Sequence, residues 1–387
     1  MGFFSERIRR YNLSEDNYKL KNEDEHGNAM QIIGKFLGEN HDLSVEPFLG
    51  MLSHLEFDHS LIPENVTFSL GEDELEQTHL GFTIELIKKW LYKRCEELKS
   101  DSNDLKDHKE LLRRFLLRPR NLPRLNIFTT NYDLIIEKAL DDLGVFYFDG
   151  FAGSIERTLR TETYDYDLYF PGQTAQGRVE RVDRVLQFYK LHGSINWRKN
   201  RTGNTWDVFI DQSEPNEEEY KNVMIYPSPL KMSEMHGYPY SEMFRRFASK
   251  IRRPQSVLFT IGYSFSDEHV NRIIYQALSI PSFMLVIVLP EFAEPGEGDD
   301  IRPQHEVWRL INKVDSKRIL VITGGKSDTD GSFTGAGTLK EFANTWLPDI
   351  SELNIEAQSK EEALLALSKK FEKKSANLDE GNGAGDG

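Results

Sequence analysis

Leu125 to Leu140 reads LNIFTTNYDLIIEKAL, and the reading of this stretch decides the fold. Its first five residues, Leu125-Asn126-Ile127-Phe128-Thr129, are β-branched and aromatic in character, the composition of a short buried strand. Thr130-Asn131-Tyr132-Asp133 is a polar turn. Beyond it, Ile135, Ile136, Ala139 and Leu140 recur at helical spacing. A strand that enters a helix through a polar turn is where an open α/β sheet builds a ligand site, at the carboxyl end of the strand and the positive end of the helix. Taken alone, the turn also reads as a capping box, with Thr130 as N-cap and Asp133 closing back three residues later. Partner turns downstream decide between the two.

Such turns occur. Val185 to Leu191, VLQFYKL, is an apolar strand that runs into His192-Gly193-Ser194-Ile195-Asn196-Trp197. Ser256 to Ile261 is another, and it leaves through Gly262-Tyr263-Ser264-Phe265-Ser266-Asp267 into a helix from His269 to Leu278. Phe146-Tyr147-Phe148, Met284 to Leu289 and Arg318 to Thr323 complete the strands, the last ending at Gly324-Gly325. Apolar strands alternating with helices, most of them ending in a polar or glycine-containing turn, predict an α/β fold: a Rossmann-like, doubly wound parallel sheet. Asp207 to Ile210 and Val223 to Tyr226 read as short strands of a hairpin-like insertion, Tyr164 to Phe170 as a loop or edge strand, and Ser241 to Ile251 as a helix carrying Phe244 and Phe247 inward.

The first third reads as mostly helical, with strong amphipathic helices over Thr83 to Leu98 and Lys106 to Leu117. The expected organisation is a helical part over 1–120, a nucleotide-binding core over 121–350, and an amphipathic helix with a disordered tail over 351–387. The chain has 387 residues, a formal net charge of −15 and a single cysteine, Cys95. That charge disfavours direct nucleic-acid binding by counterion release. One cysteine excludes an intramolecular disulfide and a cysteine-built zinc site. The longest apolar run, near Phe283 to Leu289, is too short to span a bilayer, and the N-terminus lacks a signal-peptide core. A soluble, cytoplasmic protein is expected.

Three turns in order, TTNYD at 129–133, KLHGS at 190–194 and GYSFSD at 262–267, resemble those of the sirtuin-like NAD-consuming family, most closely its bacterial anti-phage defence branch. The resemblance covers roughly residues 120 to 325. It implies a catalytic set of Asn131, which holds a water near the nicotinamide ribose, Asp133, which orients the carboxamide, and His192, which contacts the ribose and acts as base. It implies a substrate-binding set of Thr130, Gly193, Ser194, Gly262, Ser264 and Gly324. NAD is then a substrate, hydrolysed to ADP-ribose and nicotinamide, and a homo-oligomer docked on a HerA-type hexameric ATPase is the expected assembly. The alternative is a catalytically weak sirtuin-like assembly subunit that binds NAD or ADP-ribose.

Two features depart from the family pattern. The four-cysteine zinc module is absent, which favours plain hydrolysis over deacylation. The family's opening strand and Gly-Ala-Gly-x-Ser turn have no counterpart near MGFFS at 1–5, so an upstream strand is expected. Thr334-Gly335-Ala336-Gly337-Thr338 resembles that turn but follows a polar stretch, and is expected to be a loop entering a helix. Gly325-Lys326-Ser327 hints at a P-loop, but Leu320 stands where the first glycine is needed. His269 and His305 lack partners at metal-ligand spacing, so no metal is expected.

Overall fold

The computed structural model describes residues 102–118, 122–170, 180–200, 208–211, 220–224, 237–290, 303–313, 316–327 and 333–347, with short pieces between 68 and 95. The expected amphipathic helix and tail over 351–387, and residues 1–67 of the expected helical part, lie outside the described residues.

Six parallel strands form two three-stranded sheets. In the first, β1 (Leu125–Thr129) and β2 (Phe146–Phe148) flank β3 (Val185–Lys190), with Ile127 opposite Phe188 and Tyr147 opposite Leu186. A further strand, β4 (Gly193–Asn200), follows β3 directly and belongs to another sheet. In the second parallel sheet, β5 (Val257–Ile261) and β7 (Ile319–Ile322) flank β6 (Met284–Val288). Helices cover both faces, as a continuous apolar strand buried on two sides requires. β3 is the clearest case, with all six residues buried.

Helices α1 (Ser102–Phe115) and α2 (Ile135–Asp142) pack on the first sheet through Leu105, Leu112, Ile135, Ala139 and Leu140, against Leu186 and Phe188. On the opposite face, α3 (Tyr240–Ile251) brings Phe247 to 4.9 Å from Phe128. The alternation along β1, with Ile127 towards α1 and Phe128 towards α3, is the pleat of a strand covered on both sides. α4 (Glu268–Ala277) and α5 (Pro303–Lys313) share the α3 core with Leu285 and Ile287 of β6. Phe244 and Phe247 both enter this core, as the spacing of α3 predicts.

Ser194 departs from its expected place in the exit turn of β3. It lies in β4, which pairs antiparallel with Val208–Ile210 on one side and Tyr220–Met224 on the other. The two short strands expected to form a hairpin are therefore separated by β4. Ile195 and Trp197 alternate inward, and Arg198, fully buried, donates to the Ile195 carbonyl at 2.6 Å and to the Tyr92 hydroxyl at 3.2 Å. Tyr164 to Phe170 splits into a 3-10 turn at Thr161–Asp165 and a short strand at Tyr169–Phe170. In the first third, where the sequence reads as mostly helical, Phe68–Leu70 pairs antiparallel with Asp73–Leu75. Thr338 caps the helix at Leu339–Glu341, so the Gly335–Gly337 segment is the loop entering a helix that its polar surroundings predict.

Candidate active site

The carboxyl ends of β1, β3 and β5 are brought together by side chains of the turns that leave them. His192, one residue past the end of the β3 exit at Leu191, places Nε2 at 3.0 Å from Oδ2 of Asp267, and the two side chains are 6% and 7% exposed. Asp267 belongs to the exit turn of β5 and is the N-cap of α4. Its Oδ1 accepts from the His269 and Val270 backbone N–H groups at 3.0 and 3.2 Å. The carboxylate is therefore fixed by the helix it starts, and its other oxygen faces the imidazole.

The β1 turn is joined to the β3 turn from beneath. The Tyr132 carbonyl accepts from the Ile195 N–H at 3.0 Å and from the Ser194 hydroxyl at 3.3 Å. The Thr129 carbonyl accepts from the Leu191 N–H at 2.9 Å. Lys190, 3% exposed, donates to the Ser194 hydroxyl at 2.9 Å, to the Tyr132 carbonyl at 3.3 Å and to the Asp133 carbonyl. Its charge is met by Glu137 at 2.7 Å, from the first turn of α2. Burial pushes the Glu137 carboxyl above the ordinary carboxylate range, and Lys190 pulls it part of the way back.

Each expected site residue has a definite place. Asn131 is exposed at the tip of the turn, its N–H bonded to Thr129 Oγ1 at 3.0 Å. Asp133 is half-buried and its Oδ1 accepts from the Ile135 N–H at 3.0 Å. The capping-box reading is thereby corrected: Asp133 itself satisfies the start of α2, and Thr130 does not cap it. The reason is one of register, since α2 begins five residues after Thr130. Gly193 and Gly262 adopt φ of 81° and 64°, the left-handed region that glycine tolerates. A Cβ at Gly262 or Gly324 would meet nothing within 4 Å, so space beside both backbones is open. Ser264 Oγ lies 2.8 Å from Ser266 Oγ on an exposed turn. Ser194, expected to face a substrate, is fully buried and its hydroxyl is engaged by Lys190 and Tyr132. Gly324 lies at the end of β7, two strands along the edge from Gly262, and bonds to Pro290 rather than to the His192 group.

Asp267, Lys190 and Glu137 carry the geometry without having been assigned roles in the sequence reading. A lysine closing an otherwise apolar buried strand was the available signal for Lys190, since lysine is almost never buried unless paired. Among the described residues no group of three or more His, Cys, Asp or Glu could hold a metal ion, and no helix is long and apolar enough to cross a membrane.

Residues 125–309 match the SIR2-like domain family. The match starts at the first residue of β1, ends within α5 and includes all three turns. The match over this segment is consistent with an NAD-dependent or NAD-consuming activity. No curated protein matches the chain.

Proposed function

We propose that the protein is an NAD glycohydrolase, converting NAD and water into ADP-ribose, nicotinamide and a proton. The observation that carries this is the joining of the Asn131–Asp133 turn to His192, itself held at 3.0 Å by Asp267. The open space beside Gly262 fits close approach of a ligand to backbone. In this reading Asn131 holds the attacking water, Asp133 orients the nicotinamide carboxamide, and Gly262 and Ser264 receive the adenosine side. Breaking the N-glycosidic bond sends its electron pair to nicotinamide, which leaves neutral, and builds positive charge on the ribose. Water forms the new bond to the same carbon, and its proton passes to His192. Fixing the reactants and a base in one geometry is what the enzyme contributes.

Asn131→Ala and His192→Ala are each expected to abolish nicotinamide release while the thermal transition stays cooperative. Unchanged turnover in the Asn131 variant would sink the assignment. By the same resemblance, the activity serves bacterial anti-phage defence, in a homo-oligomer docked on a HerA-type ATPase that supplies nucleic-acid contact. The net charge of −15 supports leaving that contact to a partner. Light scattering is expected to show an oligomer, and the ATPase to co-purify. A strict monomer, fully protective alone, would overturn this assembly.

A further inference from the structure

We propose that Lys190 and Glu137 form a positioning pair for this reaction: the ammonium holds the Asn131–Asp133 turn in register with His192, and the carboxylate cancels its charge. The inference rests on the NAD-hydrolysis reading for its kinetic consequence, and on geometry alone for its structural one. The three N–H donors of the Lys190 ammonium are shared among four acceptors, the Tyr132 and Asp133 carbonyls, Ser194 Oγ and Glu137 Oε1, and the first three come from both turns. Two of these acceptors are backbone carbonyls of the turn that carries Asn131, so a shift of Lys190 moves the turn itself.

Glu137 has a separate task. A buried cation close to a ribose that gains positive charge opposes the reaction, and a carboxylate at 2.7 Å removes most of that field. Its second oxygen, Oε2, is buried without a hydrogen bond, so this carboxylate is kept for its charge and not for a network of its own. Fold stability is not expected to require the pair, because a buried ion pair replaced by well-packed apolar side chains is commonly neutral or stabilising.

The test uses Lys190→Met, Glu137→Gln and the double variant Lys190→Met/Glu137→Met in the full chain. Nicotinamide release and amide exchange at Ile135 and Ile195, whose N–H groups bond to Asp133 Oδ1 and to the Tyr132 carbonyl, are measured together. The double variant is expected to melt as the parent does, yet to lose about a hundredfold in kcat with little change in KM. Its amides at Ile135 and Ile195 are expected to exchange about tenfold faster. Glu137→Gln is expected to lower kcat while leaving exchange at Ile195 unchanged. A folded double variant with parental exchange rates overturns the positioning role. If the parent itself releases no nicotinamide, the hydrolase reading falls, and the exchange measurement still decides whether Lys190 holds the turn.

Discussion

At the scale of single residues, Asp267 does two jobs with two oxygens, and they separate by substitution. Oδ1 satisfies two N–H groups at the start of α4, while Oδ2 faces His192. Asparagine keeps an N-cap acceptor of nearly equal quality but removes the charge opposite the imidazole. Asp267→Asn is therefore expected to leave the melting temperature almost unchanged and to reduce nicotinamide release about tenfold or more, as removal of a base-orienting group does. Asp267→Ala is expected to add a loss of about 1 kcal/mol in stability through the missing cap. Equal melting temperatures for Asn and Ala would show that the cap contributes nothing. Activity unaffected by Asp267→Asn would remove the carboxylate from the mechanism. The residue-level site was only partly legible beforehand. Asn131, Asp133 and His192 stand out because they are polar residues on turns, and turns are visible in sequence. Lys190 and Glu137 lie more than fifty positions apart and meet only because β1 and β3 are neighbours, which no local pattern records.

At the scale of elements, most of the parallel strands were legible because a short β-branched or aromatic run ends in a polar or glycine-containing turn. β4 was not, because Gly193 and Ser194 are turn residues that begin a strand. The alternation of Ile195 and Trp197, both buried, was the signal they masked. The amino end of the first sheet is pinned differently, by charge. Asp167 accepts from Arg124 Nε at 2.8 Å and from Arg181 Nε at 2.7 Å, tying the residue before β1 to the strand at Glu180–Arg181. Burial pushes the Asp167 carboxyl up, but the two arginines and the Leu168 N–H outweigh it, and its pKa ends below the ordinary 3.8. A carboxylate depressed on folding contributes stability that is present above its unfolded pKa and is lost as pH falls through the folded value. The contribution is thus expected to be intact at neutral pH and to disappear progressively below about pH 4. Denaturation midpoints of the parent and of Asp167→Asn, followed down through that window, are expected to converge. Parallel curves would show that the arginine pair does not stabilise this end of the sheet.

At the scale of the whole molecule, the two parallel sheets are related by the helices that touch both. On one face α1 places Leu112 with the first sheet and Leu111 and Phe115 with the second, with Phe115 at 5.4 Å from Phe259. On the other face α3 packs Phe247 on Phe128 and shares a core with Leu285 and Ile287. Beneath these shared helices lie β1 and β5, each an outer strand of its sheet with no strand on its far side among the described residues. The His192–Asp267 contact shows that the two sheets present their carboxyl ends together. Strands of a helix-covered parallel sheet are normally buried on both faces, yet Val257 and Phe259 of β5 are 49% and 38% exposed. An apolar strand running parallel to both would pair with two open edges and cover those side chains. The turn following such a strand would open on the same edge as Asn131, His192 and Gly262. An apolar peptide supplied to the 387-residue chain, and able to pair with both edges, is accordingly expected to slow amide exchange along Val257–Ile261, since each new ladder bond protects its donor. Nicotinamide release measured with the same peptide is expected to rise. The two readouts are independent: protection without a gain in rate would mean that the strand docks but takes no part in catalysis. Equal exchange with and without the peptide would show that the edges of β1 and β5 accept no such strand.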